Sequence, residues 1–190
     1  GPLGLDATKI YEHHKACYDE EALELINSGD LPLDFTGLFG ARRGRSSAAT
    51  KEIEGPAIIV AGSGMCSGGR ILGHLKEYLH DPRTDVIFVG YQAQGTLGRK
   101  LQRGDKQVSI DGESFDVGAV VTTISGLSAH ADRDGLAYWF DKIPRSGGGA
   151  VFVCHGEEKA SRAYGRLLKD RFGARAIIPA LNDTASLALK

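Results

Sequence analysis

Ser125-Gly126-Leu127-Ser128-Ala129-His130-Ala131-Asp132 stands between two runs of unlike period. Before it, Ala119-Val120-Val121-Thr122-Thr123-Ile124 is apolar and β-branched, the pattern of a buried strand. After it, Gly135-Leu136-Ala137-Tyr138-Trp139-Phe140 spaces its apolar residues as on one helix face. A small-residue loop therefore sets one imidazole, His130, at a strand-to-helix junction. The pattern recurs in shorter form. Val151-Phe152-Val153-Cys154 reads as a strand and His155-Gly156-Glu157-Glu158 as its C-terminal edge. A helix then runs to Phe172, closed by Gly173, before a last strand at Arg175–Ile178. Two histidines at the C-terminal ends of two strands of an α/β sheet sit where such sheets place their chemistry.

Upstream, the same alternation continues. Ala57-Ile58-Ile59-Val60-Ala61 reads as a continuous apolar strand, buried on both faces. Gly62-Ser63-Gly64-Met65-Cys66-Ser67-Gly68-Gly69 follows it and leads into a helix over Arg70–Leu79. Strand, glycine loop and helix is an arrangement that aims backbone N–H groups at a phosphate. It equally lets a helix pack close to a strand. Ser67 stands where a dinucleotide fingerprint needs glycine, and no Lys-Ser/Thr pair follows as a Walker loop requires. Asp85–Val89 reads as a second buried strand, ending in the loop Gly90–Gly98. Arg99, Arg103 and Lys106 share one face if the next segment is helical, a track for a polyanion or a solvated surface. Gln107–Ile110, Asp111-Gly112 and Glu113–Val117 read as a β-hairpin.

The N-terminal third is less patterned. A helix over Asp6–Ala16, with Asp6 as its cap, and a second from Asp19 to Asn27 are expected. His13 and His14 are adjacent, so on a helix they point about 100° apart and do not share a metal. Phe35–Phe39 is a short strand candidate. Arg42-Arg43-Gly44-Arg45 is a basic loop, and Ser46 or Ser47 can cap a helix over residues 48–54. Residues 146–149 form a loop and the tail to Lys190 is weakly patterned.

The 190 residues, 42% apolar and 25% charged, suit a globular chain with a real core. A net charge of -1 supplies no global pull toward nucleic acid or anionic membrane, so any such contact needs a local basic patch. Three cysteines, Cys17, Cys66 and Cys154, form no C-x-x-C pair and fit a reducing, cytoplasmic setting. No apolar run reaches membrane-spanning length. Gly1-Pro2-Leu3-Gly4 reads as a scar of protease cleavage after recombinant expression, and the lone methionine is Met65, so a piece of a longer protein is expected.

His155 can serve as a metal ligand, since Gly156 leaves room above it. Strand alternation turns Cys154 to the opposite face, as a small core residue. His130 can act as a general acid or as a donor to a developing oxyanion. Asp132 can orient its ring or cap the following helix, and capping is the commoner use. Catalytic zinc needs about three protein ligands. Six histidines are present, yet none are spaced H-x-H or H-x-x-x-H.

Four stretches carry a resemblance. They are Ile59–Met65 with Gly68–Lys76 behind it, Val89–Gly98, Ser128–Asp132 and Val153–Glu157. In that order they resemble the β-CASP group of metallo-β-lactamase-fold nucleases, over about Leu5 to Ala180. Its RNA-processing branch, with ribonuclease J and the nuclease of the cleavage and polyadenylation factor, is the nearest in pattern. The resemblance implies an α/β fold: a parallel-sheet β-CASP domain with helices on both faces over 5–126. The C-terminal closing segment of a metallo-β-lactamase αββα fold would follow over 127–190.

The resemblance also implies roles. His130 would assist the leaving group or the scissile phosphate, and Ser128 would contact a phosphate. His155 would ligate one of two zinc ions. Gly62, Ser63, Gly64 and Met65, with Gln92, Gly95, Thr96 and Arg99, would hold the RNA backbone. The implied chemistry is metal-hydroxide attack on a phosphodiester. The family's H-x-H-x-D-H motif is absent, so the zinc set is incomplete here. The expected partners are RNA and the N-terminal metallo-β-lactamase portion, with a homo-oligomer left open and no membrane. The expectation is a zinc-dependent ribonuclease whose present piece is inactive alone. The alternatives are a non-catalytic β-CASP RNA-binding scaffold and a phosphate- or nucleotide-binding α/β module.

Overall fold

The computed structural model describes residues 2–31, 35–40, 55–144 and 149–186. The expected basic loop 42–45, the helix over 48–54 with its cap, most of the 146–149 loop and the last four residues lie outside them. The fold is mixed α/β, and the chain divides into two compact units, Gly1–Ser128 and Ala129–Lys190.

The first unit opens with α1 (Pro2–His13), a short 3-10 turn at Lys15–Cys17 and α2 (Glu20–Asn27). Helix α1 begins four residues earlier than expected, so Asp6 lies inside it and is not its cap. A proline at the first helical position accommodates the early start, because its missing N–H is not needed in the first turn. The second helix lies where expected, with Asp19 as its cap and not its first residue, accepting a hydrogen bond from Ala22 N at 2.9 Å. Phe35–Phe39 is a turn, not a strand: Leu38 N donates to Phe35 O at 3.0 Å, and Gly37, at φ +93°, reverses the chain.

Then come α3 (Arg70–Tyr78), β1 (Asp85–Phe88), α4 (Leu97–Gln102), β2 (Gln107–Ile110), β3 (Glu113–Asp116) and β4 (Val120–Thr123). Strands β2 and β3 form the expected hairpin, with Asp111 at φ +50° and Gly112 at φ +84° supplying the positive φ values of a two-residue turn. Strands β1 and β4 pair in parallel, from Asp85 opposite Val120 to Phe88 opposite Thr123. The core gathers Leu75 and Leu79 from the α3 segment, Phe88 of β1, Leu101 of α4, and Val108 and Ile110 from one face of the hairpin. The chain crosses the end of α3 at Gly118, where a Cβ would collide with His80 O, and Gly118 N and Ala119 N both donate to Leu79 O.

Three expectations change here. Residues 57–61 are extended but unpaired, and Ile58 and Val60 are 94% and 87% exposed. No neighbouring strand among the described residues accepts their hydrogen bonds, and apolar composition does not make a ladder by itself. Strands β1 and β4 exist but are not buried on both faces; Ile87 and Val120 are 54% and 53% exposed, because each strand has one partner among the described residues. The run Arg99, Arg103, Lys106 is not one helical face. Helix α4 stops at Gln102, and Arg103 folds onto Asp105, with Nε 2.6 Å from Oδ1.

The second unit holds α5 (Arg133–Asp141), β5 (Ala150–Phe152), α6 (Glu158–Phe172) and β6 (Arg175–Ile177). Strands β5 and β6 pair in parallel, with Phe152 opposite Ile177, and α6 connects them. Gly173, at φ +64°, ends α6 as expected. Helices α5 and α6 pack through Phe140 and Phe172, whose ring centroids are 5.3 Å apart, and through Tyr164 Oη donating to Leu136 O at 3.0 Å. Strands β4 and β5 belong to different two-stranded sheets, so the two histidine loops do not rise from one sheet among the described residues. Among those residues no helix is long and apolar enough to cross a membrane.

Candidate functional site

Two glycine loops in the first unit are built as one piece. The loop 62–69 closes on itself: Ser63 N donates to Gly68 O at 3.3 Å, Cys66 N to Ser63 O at 3.1 Å and Ser67 N to Ser63 Oγ at 3.1 Å. Ile71 N, in the first turn of α3, donates to Gly62 O at 3.2 Å. Gly69 sits at φ +78°, and a Cβ there would come within 2.7 Å of Gly62 O, so only glycine allows this closure. Several of the N–H groups that a phosphate would use are therefore already engaged within the loop and the helix turn. Cys66 is buried at its centre, and burial pushes its thiol pKa up.

The second loop leaves the C-terminal end of β1 and leans on the first. Gln92 is 2% exposed, and its Nε2 donates to Gly64 O at 3.0 Å and to Gly90 O at 3.2 Å. Gly98 N donates to Met65 O at 3.1 Å. The Gln92 side chain thus faces inward and ties one loop to the other. Its Oε1 is buried without a hydrogen-bond partner among the described residues, directly over Gly98. Gly95, at φ +82°, turns the chain toward α4. Thr96 caps α4, with Oγ1 accepting from Arg99 N at 3.2 Å and donating to Ala93 O at 2.7 Å.

Arg99 Nη1 donates to Gln102 Oε1 at 2.9 Å, and Gln102 Nε2 donates to Thr123 Oγ1 at 3.0 Å. This relay fixes a half-buried guanidinium against the end of β4. Sequence reasoning missed Gln102 and Thr123. The signal available was an amide three residues after Arg99, one helix turn on. Because β1 and β4 run parallel, the loop after Phe88 and the chain toward Ser128 leave from the same end of the pair.

In the second unit, His130 and His155 are both exposed. Asp132 spends its Oδ1 on capping α5, accepting from Asp134 N at 3.1 Å and Gly135 N at 2.8 Å. His155 follows β5 after two residues, and Val153 N still donates to Ile177 O at 2.9 Å. His155 itself is left-handed, at φ +64°, a conformation costing a non-glycine residue about 1–2 kcal/mol. Gly156 seals the other side, since a Cβ there would strike Ser161 Oγ of α6. Positive φ is uncommon for a non-glycine residue, and strained backbone of this kind clusters at active sites and ligand clamps. Cys154 is exposed, not a core residue, because β5 ends at Phe152 and the strand alternation stops before it.

The described residues do not by themselves make a zinc site. No group of three His, Cys, Asp or Glu side chains among them converges on one point, and catalytic zinc needs about three protein ligands.

Residues 1–101 match the family model described as the Beta-Casp domain. Residues 114–179 match one described as a Zn-dependent metallo-hydrolase RNA specificity domain. Among curated proteins, the chain is 38% identical to a ribonuclease of Thermus thermophilus, over 88% of this chain and 38% of that protein. It is 38% identical to the transcription termination factor FttA of Pyrococcus abyssi, over 70% of this chain and 21% of that protein. The corresponding factor of Methanocaldococcus jannaschii is 32% identical, over 92% of this chain and 28% of that protein. The chain thus spans well under half the length of these relatives.

Proposed function

The chain belongs to the β-CASP family of RNA-processing nucleases, and from that premise we propose that it forms the RNA-holding and closing portion of a zinc-dependent ribonuclease, inactive alone. The β-CASP portion would cover 5–126 and the closing metallo-hydrolase portion 127–190. The observation that carries the reading is His155, an exposed imidazole locked in the left-handed region at a strand-to-helix junction.

His155 would supply one zinc ligand to a set completed by residues beyond those described. His130, at the preceding strand-to-helix loop, would protonate the leaving oxygen of the scissile phosphodiester. Ser128 would donate to a phosphate oxygen. Gly62, Ser63, Gly64 and Met65 would approach the RNA backbone with Gly95, Thr96 and the restrained Arg99. Gln92 would act indirectly, holding the two loops in register from inside. RNA is the substrate most in keeping with the description of the 114–179 match and with the relative called a ribonuclease.

The test is direct. The chain is incubated with zinc and an end-labelled single-stranded RNA after removal of contaminating ribonuclease. RNA retention without cleavage supports the reading, and robust cleavage overturns the claim of inactivity. In a longer protein carrying this chain, His155→Ala should lose both bound zinc and cleavage; wild-type turnover would remove the ligand role.

A second reading, a non-catalytic RNA-binding scaffold, is kept alive by relatives called transcription termination factors, whose names state no hydrolysis. An H-x-H-x-D-H motif in the longer protein favours the nuclease, and its replacement favours the scaffold.

A further inference from the structure

Helix α6 and strand β6 enclose an open groove of about 550 Å³ that the proposed catalytic residues do not use. Its floor is small: a Cβ on Gly165 would stand 3.2 Å from Ile178 Cδ1 and 3.6 Å from Ala176 Cβ. Arg162, Arg166, Lys169 and Arg175 line it. The first three fall at i, i+4 and i+7, one face of α6 spanning about 10 Å of helix axis. Arg162 is matched by Glu158, with Nη2 2.7 Å from Oε1. Arg166, Lys169 and Arg175 have no acidic partner among the described residues.

A chain of net charge -1 thus concentrates three unmatched cations around one concave surface. The helix dipole accounts for only part of this. It favours a cation in the last turn, which covers Lys169, but the effect fades before Arg166, and Arg175 is outside the helix. Two carbonyls near the end of α6 are also engaged without side chains: Gly173 N donates to Lys169 O at 2.9 Å and Ala174 N to Leu168 O at 3.2 Å. All three heads remain available to an external anion.

We propose that the α6–β6 groove is a second RNA contact, in which Arg166, Lys169 and Arg175 bind successive phosphates of a single strand outside the histidine loops. It rests on the reading that this chain holds RNA. A single strand fits better than an acidic peptide. Cations set along one helix face read a repeating charge more readily than the varied side chains of a peptide.

The experiment titrates the full chain into a fluorescein-labelled 20-nucleotide oligouridylate, by anisotropy, at several salt concentrations. Each single-strand phosphate contact contributes a slope of about -0.7 in log K against log salt. The triple variant R166Q/K169Q/R175Q should bind at least tenfold more weakly near 0.1 M salt and flatten the slope by about 2. A matched variant, K9Q/K15Q/R83Q, loses the same charge elsewhere and should keep the wild-type slope. R175Q alone leaves α6 untouched and should flatten the slope by about 0.7, which covers a triple variant that folds poorly. Equal slopes for wild type and R175Q, or equal losses in both triple variants, overturn the groove. Displacement of the RNA by polyglutamate at equal charge would assign the groove to an acidic protein partner instead. A wild-type chain that binds no RNA even at 20 mM salt would sink the RNA reading itself, a result distinct from failure of the groove alone.

Discussion

The side-chain amide of Gln92 donates to the backbone oxygen of Gly64, 28 residues earlier in the chain, at 3.0 Å. One buried side chain therefore sets the spacing of two glycine loops, and Gly98 N, on Met65 O, repeats the tie from the far end of the second loop.

Gln92→Ala removes two hydrogen bonds and leaves a cavity, for a loss of about 2 kcal/mol in urea unfolding. Gly98→Ala acts from the other side. Its new Cβ would sit 2.9 Å from Gln92 Cδ and 3.1 Å from Met65 O, and overpacking of this kind costs about 1–3 kcal/mol. An unchanged midpoint in either variant would mean that the two loops are not coupled.

At position 155, glycine and alanine both remove the imidazole, but only glycine is at ease at φ +64°. His155→Gly should be more stable than His155→Ala by about 1 kcal/mol, the reverse of the order in an ordinary helix. Chemical denaturation of the two variants decides it, and a more stable alanine variant would deny the left-handed backbone.

Asp132→Ala strips the cap from α5 and should cost about 1 kcal/mol, whereas Asp132→Asn, which still accepts from Asp134 N and Gly135 N, should cost less than half of that. Thermal melts of the pair are sufficient. Equal losses would shift Asp132 from capping to a role that needs its charge.

The three thiols should separate by reactivity. Cys17 and Cys154 are exposed, while Cys66 is buried and burial raises its thiol pKa, leaving less thiolate at any given pH. Iodoacetamide at pH 8 should label Cys17 and Cys154 quickly, and Cys66 only after denaturant is added. Prompt labelling of Cys66 in the native chain, read by peptide mass, would contradict the closed 62–69 loop.

Much of the local structure was legible in advance. Asp111-Gly112 as a turn, Asp132 as a cap, and Gly173 as a helix stop all act over four residues or fewer. The placement of both histidines between a strand and a helix was legible for the same reason. The four quoted stretches also carried the family, since their order survives in any fold the chain adopts. The candidate site was read less fully. Thr96 and Arg99 were picked for a phosphate, but their bonds to Ala93, Gln102 and, through it, Thr123 depend on how α4 lies against β4.

The sequence by itself determined the cap that starts α5, the glycine that stops α6, which loops carry imidazoles and which family the chain belongs to, because these depend on neighbours within a turn or on residue order. Tertiary structure alone decided that residues 57–61 lack a partner strand among the described residues, that Cys154 faces solvent, that Gln92 is an internal tie and that three cations of α6 and β6 share a groove. Pairing, burial and charge clustering are set by groups distant along the chain, and no local pattern of residues specifies which of those groups will arrive.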